Sequence, residues 1–284
     1  MRREFSHWVK QKLKADSKFI ILLGDISVGL FVDEHEELPE RCFNIGVLEQ
    51  SMLSFGAGLS RSGFTVLIHT ISPFMIERAL EQIKLDVGYN KNRVILVSAN
   101  SPFEYHKLGP THHCPSDIPL ISQIGYPFNI MLPIRSDDVV SHLDFVYSDN
   151  NRSAYVRLHA YSEKDIKFEY VKTNTIITID PNYEGSALRS ISVIVGEAVH
   201  LDDAKVLIDS TSHAVIIDHL PVDPHLAAAI AQYPAIYTLE PYSVPLLANV
   251  LSRYAEKGKI VPTWYSATSE DGIFSNPPMY RNSI

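Results

Sequence analysis

Apolar residues along this chain gather into short runs separated by amphipathic stretches. The runs Phe19 to Leu23, Phe64 to Ile68, Val94 to Val97, Phe128 to Leu132 and Ala154 to Leu158 are each four or five residues long. That is the length and texture of strands buried on both faces. Ahead of them, Phe5, Trp8, Val9 and Leu13 recur at helical spacing, interrupted by Lys12. Helical segments lie between the runs, and such alternation predicts a mostly parallel sheet covered by helices. From about Glu163 to Leu188 the pattern weakens into polar and β-branched sequence around Asp180, Pro181 and Asn182, with room for one strand at Thr175 to Thr178. The runs then resume at Ile191 to Val195, Ala214 to Asp218 and Ala235 to Leu239, with helices expected near Leu201 to Asp209 and Leu246 to Ala255. The expected organisation is an α/β domain over residues 1–165, a linker over 166–188, and a second parallel-sheet α/β domain over 189–284 that ends in a tail from Asn276.

Composition narrows the classes of partner. The 284 residues suffice for two domains with real cores. A net charge of −8 argues against a nucleic acid or an acidic membrane surface, either of which needs a basic face. No apolar run approaches a membrane span, and the first residues lack the apolar core of a signal peptide. With two cysteines, Cys42 and Cys114, a disulfide framework is not expected, and a reducing, cytoplasmic setting is the simple reading.

Ligands of parallel sheets bind beyond the carboxyl ends of the strands. Gly24-Asp25, Asn44 to Glu49, His69 to Phe74 and Asn100 to His113 all fall there. The stretch from Arg41 to Gln50 reads as a strand, a turn through Gly46, and a helix opening with Glu49 among Leu48, Met52, Leu53 and Phe55. A glutamate at a helix start is commonly a dipole partner, worth about 0.3–1 kcal/mol. Apolar neighbours point instead to a carboxyl in a partly dry pocket, the kind of environment that tunes functional acids. His112, His113 and Cys114 are adjacent, and three successive residues do not converge on one tetrahedral ion, so no metal site is expected there.

Arg41, Phe43, Asn44, Ile45, Gly46, Glu49 and Gln50 together resemble the signature of the pyrimidine-binding domain of the transketolase family of thiamine diphosphate enzymes. The resemblance continues in order. Gly56 to Phe64 is similar to the family's small-residue helix and glycine exit. Ser72 to Ile83 is similar to its Arg-Ala-aromatic-Asp-Gln-Ile helix. Gly109, Pro110, Thr111 and His112 are similar to its Gly-Pro-Thr-His loop, with Asp117-Ile118 following. The second module resembles the family's carboxyl-terminal domain.

The resemblance implies roles. Glu49 would hydrogen-bond the ring nitrogen of the cofactor's aminopyrimidine and share a proton with it, which requires a carboxyl in a low-dielectric site. Phe74 would stack on that ring, although a place as one core phenylalanine among twelve is the alternative. His112 would bind substrate oxygens and move protons on the reactive side. Leu108 stands where sugar-using transketolases place an aspartate that reads a substrate hydroxyl, which implies a changed or less polar substrate. Tyr155, Arg157 and Leu158 resemble the family's Tyr-x-Arg-Leu strand. The arginine expected soon after, which grips a sugar phosphate, is absent, and His159 and His106 are the nearby candidates to replace it.

The diphosphate of the cofactor is held in this family through Mg2+, by Gly-Asp-Gly and an asparagine roughly thirty residues later. Gly24-Asp25-Ile26 lacks the second glycine, and Asp271-Gly272 has no such asparagine after it. The resemblance therefore implies half of a divided enzyme: a split transketolase-like subunit whose thiamine diphosphate and Mg2+ are completed by a diphosphate-binding partner chain. A heterotetramer with self-association would follow the usual symmetry. The expected reaction moves a two-carbon ketol or acyl unit from a ketose or 2-oxo acid donor to an aldehyde or ketone acceptor. The alternatives are the beta subunit of a 2-oxo acid dehydrogenase, which the Gly-Pro-Thr-His loop disfavours, and a non-catalytic scaffold, which Glu49 disfavours.

Overall fold

The computed structural model describes residues 1–99, 102, 104–160, 166, 173–179, 190–241, 246–256 and 258–264. The chain divides into two compact units, Met1–Ala160 and Tyr161–Ile284. The boundaries expected at 165 and 188, and the tail from Asn276, fall outside the described residues.

In the first unit, α1 (Arg2–Ala15) leads into β1 (Phe19–Leu23), α2 (Val32–Glu37), β2 (Cys42–Asn44), α3 (Glu49–Arg61) and β3 (Thr65–Ile71). Then come α4 (Ser72–Ile76), α5 (Leu80–Gln82) running into a π-helical turn (Ile83–Tyr89), β4 (Val94–Ala99), α6 (Asp117–Gln123), β5 (Phe128–Met131), α7 (Ser136–Ser148) and β6 (Ser153–Leu158). Six strands pair in the order β5-β6-β4-β3-β1-β2, all parallel. Every residue of β1, β4, β5 and β6 is buried, which is why their sequences are continuous rather than alternating.

Helices cover both faces of the sheet for different reasons. Phe5, Trp8, Val9 and Leu13 of α1 pack with Val139, Leu143 and Val146 of α7 over Phe19, Ile21, Ile95 and Val97. Trp8 keeps its indole N–H satisfied by donating to Asp144 Oδ1 at 2.9 Å. On the opposite face, α3 approaches through small residues. A Cβ added at Gly56 would lie 2.7 Å from Ile68 Cδ1 and 3.2 Å from Leu22 Cδ1, so the glycine sets how closely the helix carrying Glu49 sits on the sheet.

The second unit contains β7 (Ile177–Thr178), β8 (Ser190–Val195), α8 (Asp202–Asp209), β9 (His213–Ile217), β10 (His219–Leu220), α9 (Pro224–Ile230), β11 (Ala235–Glu240), α10 (Leu246–Leu251) and β12 (Ile260–Trp264). Its sheet runs β12-β11-β8-β9-β7, parallel except where β7 meets β9. Two successive, mostly parallel α/β units are therefore present, as the hydrophobic pattern predicts. The strand within the weak stretch is shorter than expected, at Ile177–Thr178, and the last helix stops at Leu251 rather than Ala255. The strand β12 has no counterpart in the expected elements. It includes Pro262, which an edge strand tolerates because one side of its ladder needs no N–H.

Glu240, at the end of β11, is fully buried, and its two oxygens accept from Leu247 N at 2.6 Å and Ala248 N at 3.0 Å in the first turn of α10. Burial raises its pKa to about 7 against the downward pull of those two bonds, from the free-chain value of 4.5. The folded unit then holds a proton that the unfolded chain has lost. Its stability is full below about pH 4.5 and falls as pH rises through about 7. The loss reaches up to about 3 kcal/mol. Amide hydrogen exchange in β11 and α10, followed against pH, should show this slope, and Glu240→Gln should flatten it.

Candidate cofactor site

The carboxyl ends of β1 to β4 open on one edge of the first sheet, and their exit turns are tied to one another. Asn44, ending β2, accepts from Asp25 N at 3.1 Å and Gly46 N at 3.2 Å and donates to Asp25 Oδ1 at 3.2 Å. Gly46 takes φ +79°, a conformation that favours glycine and turns the chain into α3. Asp25 and Ser27 also sit at positive φ, 58° and 59°, beside these strand ends. His69 of β3 braces the same edge. Its Nδ1 lies 2.7 Å from the carbonyl of Val97 and its Nε2 lies 2.9 Å from Ser27 Oγ. A carbonyl can only accept, so Nδ1 carries the proton and Nε2 accepts from the serine. Burial pushes the pKa of His69 down to about 4, and it stays neutral in this brace.

Glu49 opens α3 and is only 1% exposed. Met52 and Leu53 are buried beside it, whereas Leu48 and Phe55, also expected as pocket walls, are exposed. Glu49 Oε2 accepts from Arg78 Nη1 at 2.7 Å, and Oε1 is buried without a hydrogen-bond partner among the described residues. The Arg78 guanidinium carbon lies 4.1 Å from the centre of the Phe74 ring. Phe74, half-buried in α4, meets the His112 ring edge-on at 5.2 Å and 70°. His112 belongs to the single turn Pro110–His112, and its Nδ1 is 2.9 Å from Thr111 Oγ1.

Glu49, Phe74 and His112 are thus brought together, with Arg78 between the first two. Leu108 lies on the turn leading to His112 and is 60% exposed. His159 is buried, with Nε2 3.0 Å from the carbonyl of Pro133, and so is committed to the interior rather than to an incoming anion. The side chain of His106 lies outside the described residues.

Beneath this cluster runs a buried polar network that the motifs alone did not assemble. Arg157 Nη1 of β6 donates to Asp117 Oδ1 at 2.8 Å and Oδ2 at 2.9 Å, and Tyr155 OH donates to Asp117 Oδ2 at 2.7 Å. Ser98 Oγ is 2.8 Å from Tyr155 OH, and Ser72 Oγ donates to Ser98 Oγ at 3.0 Å. Burial, with Asp117 alongside, raises the Tyr155 phenol well above its usual range, so it remains a donor. The network joins β4 and β6 to the start of α4, which carries Phe74, and to the start of α6, which follows His112. Asp117 and Arg157 each belong to a sequence motif, but their pairing spans forty residues and needs the fold to reveal it.

A family model described as transketolase, pyrimidine binding domain, matches residues 1–161. The chain belongs to this family. It is 40% identical over 90 residues to an apulose-4-phosphate transketolase subunit of Actinobacillus succinogenes, covering 32% of this chain and 29% of that one. It is 27% identical over 187 residues to the protein of the same name from Phocaeicola vulgatus, covering 62% and 58%. The matches therefore span less than two thirds of the length of these relatives. Among solved structures, a split-gene transketolase described as an inactive beta4 tetramer shares the fold at TM-score 0.69, with 19% identity over 93% of this chain and 88% of that one. The resemblance read from the motifs is borne out.

Removing one member of the buried Asp117–Arg157 pair strands the other charge. Arg157→Met should cost about 3–5 kcal/mol. The paired apolar replacement, Asp117→Leu with Arg157→Met, should cost less than the sum of the two single changes, because neither charge is then left alone. Urea unfolding of the three variants measures both quantities.

Proposed function

We propose that this chain is the pyrimidine-binding subunit of a split, thiamine diphosphate-dependent transketolase-like enzyme. The observation that carries this reading is the buried Glu49 carboxyl, whose Oε1 has no partner among the described residues and which Arg78 links to the face of Phe74, itself against His112. An unsatisfied buried acceptor is rare in folded proteins and calls for a donor. The donor set fits an aminopyrimidine: Glu49 hydrogen-bonds the ring nitrogen and holds a proton there, and Phe74 carries the ring face. When bound, thiamine diphosphate supplies a carbon nucleophile that adds to carbonyls. His112 binds the substrate oxygens and exchanges protons with them.

The diphosphate and its Mg2+ are assigned to a partner chain, in keeping with relatives that are named as one subunit of an enzyme. Two facts support a divided enzyme. The apulose-4-phosphate transketolase relatives are each named as one subunit of an enzyme, and the split-gene structure was solved as an inactive tetramer of one kind of chain. Val47 and Leu48, immediately before Glu49, are 60% and 59% exposed, and exposed apolar side chains there suit a docking domain. The assembly is a heterotetramer of two such pairs. The reaction moves a two-carbon ketol or acyl unit from a ketose or 2-oxo acid to an aldehyde or ketone. Leu108, with no acceptor to offer, favours donors less hydroxylated at that position.

The test is to combine this chain with a diphosphate-domain partner carrying Gly-Asp-Gly and to titrate thiamine diphosphate with Mg2+. Calorimetry should show cofactor binding far tighter in the mixture than in either chain alone, where the diphosphate is left unheld. Glu49→Gln should reduce turnover about 10²–10⁴-fold, the usual worth of positioned proton transfer. Turnover indifferent to Glu49 would overturn the assignment.

A further inference from the structure

We propose that Arg78 is a built-in occupant of the pyrimidine slot, which holds the site closed in the isolated chain and swings out when the cofactor ring enters. The inference rests on the reading of Glu49 and Phe74 as that slot. Arg78 satisfies at once the two contacts assigned to the ring. Its Nη1 is 2.7 Å from Glu49 Oε2, and its guanidinium carbon is 4.1 Å from the centre of the Phe74 ring. A planar group that both stacks on this face of Phe74 and hydrogen-bonds this carboxyl needs the volume the guanidinium fills. The two cannot be there together.

The chemistry of the occupant matches that of the ligand. A guanidinium is planar, donates in its own plane, and stacks on aromatic faces, as a protonated aminopyrimidine does. Access gives a second, independent reason. Glu49 is 1% exposed, so a ligand reaches its carboxyl only after a neighbouring group has moved. Arg78 is built to move. Its side chain is 40% exposed, whereas Glu49 is 1% exposed. Its backbone lies in the break between α4 and α5, after the helix cap Glu77 and before Ala79, whose φ of −112° is outside the helical range. The head can rotate to solvent while Met75, Ile76 and Ala79 stay in the core. Arg78 is therefore a gating group whose departure frees Glu49 Oε2 and the adjoining face of Phe74.

The consequence is an affinity penalty equal to the fraction of time the slot is open. Thiamine carries the aminopyrimidine without the diphosphate and can probe the full-length chain directly, by calorimetry or ligand-observed NMR. Arg78→Ala should bind thiamine roughly tenfold more tightly than the parent, the factor set by a slot closed about nine-tenths of the time. The gain should vanish in Arg78→Ala with Glu49→Gln. In the unaltered chain, the Arg78 side-chain N–H signal should be protected from solvent exchange and should lose that protection on saturation with thiamine, a readout that needs no substitution. Binding by Arg78→Ala equal to or weaker than the parent, while Glu49→Gln still weakens it, would overturn the gate and leave the slot in place. So would protection that persists with thiamine bound. Binding that ignores Glu49, or none in any variant, would remove the slot itself and the proposed function with it.

Discussion

Parallel pairing of β1, β3, β4 and β6 is the constraint from which the site follows. Parallel neighbours cannot be joined by tight turns, so each strand leaves the sheet into a helix crossover and all the exits open on one edge. Glu49, Phe74 and His112 lie after three different strands, β2, β3 and β4, and are far apart in sequence. What unites them is that their strands end side by side. The cross-ties at Asn44 and His69 keep those ends in register without using the candidate residues themselves. The scaffold and the chemistry are thus carried by different side chains, although they share the same loops.

Asp117 and Glu49 each meet an arginine far along the chain, and the two pairs contrast. Asp117 and Arg157 are both enclosed, with the carboxylate accepting from a tyrosine as well. A charge pair satisfied in this way has no cheap alternative state, because separating it leaves a charge in the interior. Glu49 and Arg78 differ: one partner is buried, the other is close to half exposed, and one carboxylate oxygen has no donor. Water can take over the guanidinium at modest cost, while the carboxyl stays in place awaiting another donor. The first pair suits permanence and the second suits exchange. The fixed pair ties β6 to the start of α6, which follows the turn that carries His112.

The family assignment and the geometry address different questions. Membership of the transketolase pyrimidine-binding family accounts for the sheet, the helix opening at Glu49 and the loop ending at His112. It leaves the substrate to the particular residues at the rim. Leu108 projects from the turn before His112, and His159 is folded inward against Pro133. Neither side chain offers a charged group to the surface beside His112.

Much of this molecule was legible in the order of its residues. Runs such as Phe19 to Leu23 and Val94 to Val97 marked doubly covered strands, because a strand flanked by helices must be apolar on both faces. The resemblance of the stretches around Glu49, Phe74 and His112 to the transketolase family's motifs marked the candidate site, and all three residues follow strand ends. Less was legible where the signal was weak or non-local. Ile260–Trp264 carries a proline and so reads poorly as a strand, until an edge position in the sheet removes the need for its N–H. The pairing of Asp117 with Arg157, and of Glu49 with Arg78, spans 40 and 29 residues. By itself the sequence determined which side chains stand at the carboxyl edge. Only the tertiary structure decided which charges meet there, because a buried charge takes its partner from whatever the packed strands bring within hydrogen-bonding distance.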